Sequence, residues 1–123
     1  MKTENIKFKA KNTLDGTWVQ GDLVHNENGT IAILRNGFNV SDVDPSTVCQ
    51  FTGMKDCEGN EIWEGDIVRD NYDLLCIDNL YEVAYIEEEG TFAFKSLDKV
   101  DNYEPFVNLF EAYVVGNKFD KED

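Results

Sequence analysis

VCQFTGMKDCEGNEIWEGDIVRD, Val48 to Asp70, compresses an extended run, a turn, a second short run and a Gly-Asp step into one stretch. Val48, Gln50 and Thr52 alternate with Cys49, Phe51 and Gly53, and β-branched and aromatic residues suit a pleated surface. Gly59 takes positive φ at no steric cost and Asn60 tolerates it, so 54–60 reads as a turn. Ile62-Trp63 resumes an extended run, Gly65-Asp66 breaks it, and Ile67-Val68 starts the next strand. Asp66 fits a turn residue that accepts local backbone amides. On that footing Asp66→Asn costs only about 1 kcal/mol, since Asn keeps an acceptor oxygen, whereas Gly65→Val unfolds the protein.

Working outward, alternation predicts strands at 6–10, 18–24, 30–34, 80–86 and 91–94. The second is interrupted or bulged at Gly21-Asp22. Turns fall at 14–17, 26–29 and 87–90. Asn36-Gly37 is a hairpin signal that lets 38–40 pair back. Residues 41–45 read as a loop, with Pro45 removing a donor, and 69–79 as a polar bend around Leu74-Leu75-Cys76-Ile77. An acidic loop follows at 98–104. Phe106, Leu109 and Phe110 have helical spacing, so one helical turn is expected over 106–112. Tyr113-Val114-Val115 closes the fold, Gly116-Asn117 ends it, and 119–123 is a frayed tail. The expected architecture is mainly β: small twisted sheets, an SH3-like barrel-type C-terminal lobe and at most one short helix. It forms a single domain over 1–123 with lobes at 1–47 and 48–118. An internal echo supports two lobes, because Lys11-Asn12 with Gly21-Asp22 recurs 44 positions later as Lys55-Asp56 with Gly65-Asp66.

Several segments together resemble the signature of the YopX family: Gln50-Phe51-Thr52-Gly53, Lys55-Asp56, Gly59-Asn60-Glu61-Ile62 and Glu64-Gly65-Asp66-Ile67-Val68. Ile6-Lys7-Phe8-Lys9-Ala10, Gly21-Asp22-Leu23 and Val115-Gly116-Asn117 fit the same pattern. Trp63 stands where members often carry Tyr. The resemblance implies a mainly β protein of phage or prophage origin, with no catalytic residues to carry over. Its structural signature here is Phe51, Gly53, Gly59, Trp63, Gly65, Asp66, Gly116 and Asn117.

Charge restricts the function classes. There are 25 acidic and 11 basic residues, a net −14, and such a surface repels nucleic-acid phosphates. One basic strip remains, Lys2, Lys7, Lys9 and Lys11. The last three share a strand face opposite Ile6, Phe8 and Ala10. It reads as a solvated face on an edge strand, where lysines deter unwanted pairing; weak nucleic-acid binding is the rival reading. A 41% hydrophobic content suits a folded chain. No apolar run approaches the ~20 residues of a membrane helix, and MKTENIKFKAKN lacks an apolar leader core. A cytoplasmic protein with no membrane partner is expected. Cys49, Cys57 and Cys76 form no CxxC pair, so reduced thiols are expected, Cys49 and Cys76 within the core. His25, the only histidine, sits in a polar run and reads as an exposed turn residue. Asp42 and Asp44 suit a turn better than a metal site. No cofactor or metal is expected.

Asp22 and Asp66 are the candidates for carboxylate-based hydrolysis, but nothing in the sequence brings them together or shields them from water, so no enzymatic activity is expected. The favoured function is a non-catalytic protein-interaction or accessory factor acting on a host or phage protein. The alternative is an acidic nucleic-acid mimic that inhibits a host enzyme. The sequence is compatible with a homo-oligomer and does not fix the oligomeric state.

Overall fold

Short polar side chains shape the turns, and the turns set the strand register. The computed structural model describes residues 2–36, 39–70, 80–97, 103–104 and 112–120. The chain divides into two units, Met1–Phe51 and Thr52–Asp123, and the described residues are mainly β.

In the first unit, β1 (Phe8–Lys11), β2 (Trp18–His25), β3 (Ile31–Arg35) and β4 (Asn39–Asp42) form an antiparallel meander. The start of β5 (Cys49–Lys55) pairs with the other side of β1. The Asn12 carboxamide accepts the amides of Leu14 and Asp15, and Asp15 accepts both the N–H and the hydroxyl of Thr17. Asn28 treats Thr30 in the same way. Each side chain supplies an acceptor that a tight turn otherwise lacks. Asn36 adopts φ 42°, and the hairpin it opens pairs Arg35 with Asn39, as Asn36-Gly37 predicts.

β2 runs without interruption. At Gly21-Asp22 its pairing passes from β1 to β3: Phe8 faces Gly21, and Asp22 faces Leu34. The core holds Ala10, Val19, Ile33 and Val43, with Phe8, Leu23, Ile31 and Val48 packed against it. Full burial of a Val or Ile side chain contributes about 1.5–3 kcal/mol.

Two further expectations fail in this unit. β1 is not an edge strand, because it lies between β2 and β5. Lys9 and Lys11 therefore stand on an inner strand and Lys7 just before it, with Lys7 Nζ 4.8 Å from the Phe51 ring centroid, and Lys9 and Lys11 Nζ 4.7 and 5.4 Å from that of Trp18. Residues 41–45 are not a loop. Ser41 and Asp42 belong to β4, and Val43, only 3% exposed, bridges Asn12. Asp44 then caps a 3-10 turn at Pro45–Thr47 by accepting the Ser46 amide. Apolar Val43 is drawn into the core and carries its polar neighbours with it.

In the second unit β5 runs on to Lys55 and turns into β6 (Glu61–Trp63). β7 (Asp66–Asp70), β8 (Leu80–Ile86), β9 (Thr91–Ser96), β10 (Tyr103–Glu104) and β11 (Ala112–Asn117) form an antiparallel sheet in the order β10-β9-β8-β7-β11. Its core is Ile62, Val68, Val83, Phe94 and Ala112, with Tyr81 and Val114 against it. On β8 Val83 is fully buried, and Tyr85, two residues further along the same face, is exposed and edge-on to Phe92 with centroids 5.2 Å apart. The β7–β11 register shifts between Val114 and Gly116, a bulge at Val115.

This sheet is open. β10 and β11 end it, and the expected SH3-like barrel closure is not found among the described residues. Tyr103–Glu104, expected in a loop, is a short strand on β9. Phe119 and Asp120, expected to fray, are held: the Phe119 amide donates to the Asn117 carboxamide, and the Asp120 amide to the Asn117 carbonyl. Ala112 begins β11, not a helical turn. The rest of that turn apart from Ala112, the 74–77 run and Cys76 lie outside the described residues.

Candidate functional site

Five of the signature residues, all in the second unit, meet around the β6–β7 turn. Gly65 sits at its apex with φ 85°. Its N–H donates to the Val83 carbonyl at 2.7 Å, and its carbonyl accepts the Lys118 amide at 2.9 Å. Asp66 follows, 2% exposed. One carboxylate oxygen accepts the Trp63 amide at 2.7 Å, and the other accepts Asn117 Nδ2 at 3.0 Å. Trp63 and Asn117 are themselves buried. Gly116 pairs with Ile67, one step along β11. Trp63, Gly65, Asp66, Gly116 and Asn117 thus form one knot that fastens β6, β7, β8 and β11. A buried carboxylate is tolerated here because donors satisfy both oxygens.

The other signature residues stand apart from the knot. Gly59 closes the turn between β5 and β6, its amide donating to the Asp56 carbonyl at 3.0 Å. Gly53 lies in β5, and Phe51 is buried in the first unit. Asp22 is exposed on β2 and Asp66 buried on β7, so the two halves of the sequence echo serve different ends. The echo is real one step earlier, where Asn12 and Asp56 both organise hairpin turns through their side-chain oxygens. His25 ends β2, exposed. Asp42 lies in β4 and Asp44 caps its turn. Cys49 is a buried thiol and Cys57 an exposed one. No group of three or more His, Cys, Asp or Glu suited to a metal occurs among the described residues, and none of their helices is long and apolar enough to cross a membrane.

Asp56 is the residue that sequence reasoning missed. One oxygen accepts the amides of Glu58 and Asn60 at 2.9 and 2.8 Å; the other accepts the amide of Val114 at 2.8 Å. Partial burial pushes its carboxyl up, but the amides of Val114, Asn60 and Glu58 outweigh that and hold it below its ordinary value. The local half of this role is legible in Asp56-x-x-Gly59-Asn60. The bond to Val114 spans 58 residues and leaves no local signal.

The knot changes what is expected of Asp66→Asn. Asn supplies one acceptor oxygen where two are used, so either the Trp63 amide or Asn117 Nδ2 meets another donor. An orphaned buried donor costs about 1–3 kcal/mol, more beside a charge. The variant should lose about 2–3 kcal/mol, a fall in melting temperature of roughly 10 °C. A thermal melt within roughly 2 °C of wild type would show that the carboxylate does not hold the knot.

Among curated proteins none matches this chain. The family model described as YopX protein matches residues 2–122, which takes in the knot and both units. The chain belongs to the YopX family.

Proposed function

We propose that this chain is a non-catalytic, cytoplasmic protein-interaction or accessory factor of phage or prophage origin. One observation carries the reading: Asp56 and Asp66, two acids of the central stretch, each engage both oxygens with donors of their own fold. A carboxylate so committed orders turns and strands and is poorly placed to move protons for a substrate. The test is affinity capture on immobilised protein from host and phage lysates, identification of the retained protein, and titration of that purified partner. Saturable one-to-one binding is expected. A turnover activity abolished by Asp22→Ala in a folded variant would overturn the reading.

A second reading, the acidic nucleic-acid mimic, is favoured by where the charge lies. Residues 52–123 carry 19 acidic and six basic side chains, net −13, against six acidic and five basic, net −1, over residues 1–51. A cationic groove would be attracted to the second unit, and charge of that density speeds capture. Inhibition of a nuclease that fades with salt and is relieved by competing DNA would separate the mimic from an accessory factor, whose apolar contacts tolerate salt. Weak nucleic-acid binding through Lys7, Lys9 and Lys11 is the least supported. Their ammonium groups stand over Phe51 and Trp18, the rings on which bases would stack.

A further inference from the structure

We propose that Asp56 guards the outer edge of β11 and, with the turn it orders, keeps that strand from pairing with β11 of a second copy of this chain. Among the described residues β11 ends the second unit's sheet. A terminal strand presents main-chain groups that invite another strand. Here three of those groups are engaged. The Val114 N–H donates to the Asp56 carboxylate at 2.8 Å, the Ala112 carbonyl accepts the Cys57 N–H at 3.3 Å, and the Asn117 N–H donates to the Asp120 carboxylate at 2.9 Å. Asp56 and Asp120 thus occupy sites where a neighbouring strand would offer carbonyls. Their charge makes them stronger acceptors than the carbonyls they replace.

The strand beneath this cover suits self-pairing. Ala112-Tyr113-Val114-Val115-Gly116-Asn117 carries no charged side chain, and Val115 is 49% exposed. Two copies running antiparallel would meet no like charge along the strand itself. What opposes them, besides the guard, is the net −13 of residues 52–123. Added salt should therefore strengthen the pairing once the guard is gone.

Asp56→Asn is the discriminating variant. Its oxygen still accepts the Glu58 and Asn60 amides, while its amide group faces the Val114 N–H and releases it. By sedimentation velocity and light scattering, wild type should be monomeric. Folded Asp56→Asn should dimerise with concentration, its association tightened by roughly tenfold or more between about 50 and about 500 mM salt, where the Debye length falls below about 5 Å. Adding Val115→Lys, a charge on the exposed edge, should restore the monomer. A folded, monomeric Asp56→Asn overturns the proposal, as does a dimer that survives Val115→Lys or a wild type that dimerises equally. Should Asp56→Asn fail to fold, Asp120→Ala is decisive. It leaves the Asp56 turn intact and uncovers the Asn117 amide, so a weaker salt-strengthened dimer supports the guard and a folded monomer overturns it.

Discussion

Gly65→Val is expected to abolish the folded second unit, giving insoluble protein or a chain without a cooperative melt. Gly65 holds φ 85°, a region costing an ordinary residue about 1–2 kcal/mol and a β-branched one more. Rotating φ out of it would misdirect the N–H to Val83 and the carbonyl to Lys118, which lie at 2.7 and 2.9 Å. Each such bond is worth about 1 kcal/mol net. Together these terms approach the ~5–15 kcal/mol that hold a domain. Gly65→Asn is the control, because Asn tolerates the left-handed region, and it should keep a cooperative transition. A Gly65→Val protein with the melting temperature of wild type would mean that the β6–β7 turn is not the fastening point.

Gly21→Ala should produce the second-largest loss, about 3 kcal/mol, chiefly through lack of space. Gly21 holds φ 159°, at the margin of extended backbone, so the larger obstacle is space. A Cβ there would stand 2.1 Å from the Leu34 carbonyl oxygen and 3.1 Å from Ile33 Cγ2. The obstacle is backbone on a paired strand, so β2 and β3 must separate where the pairing changes hands. Overpacking costs about 1–3 kcal/mol when side chains can yield, and more when they cannot. Gly29→Ala meets nothing within 4 Å at φ 88°, and should cost only the ~1 kcal/mol of the backbone conformation. Urea denaturation of the two variants side by side decides the matter. Equal midpoints would show that β3 does not crowd Gly21.

Local signals were legible where the physics is local. Tyr81, Val83 and Tyr85 alternate, and β8 follows. Asn36 turns a hairpin, and Gly65-Asp66 breaks one strand and starts the next. Strand order is not local, so a lysine-studded run suggested an edge although β1 pairs on both sides. Val43 was hidden between Asp42 and Asp44, two loop-like residues, yet its burial decides that segment. Asp66 was readable as an acceptor. That its second oxygen serves Asn117, 51 residues away, was not, and this raised the expected cost of Asp66→Asn. The bond from Val114 to Asp56 escaped for the same reason.

The reach of the knot has a consequence for synthesis. One oxygen of Asp66 finds its long-range partner only when Asn117 has been made, and one of Asp56 only when Val114 has. Ribosomes add about 5–20 residues per second, so Asp66 waits several seconds with only its Trp63-facing oxygen matched. β11 contributes its pairing with β7 in the same late step. The strands of residues 1–51 pair among themselves, and their contacts become available much earlier. The nascent second half therefore passes through a period with open strand edges, and in that period its dense negative charge keeps neighbouring chains apart.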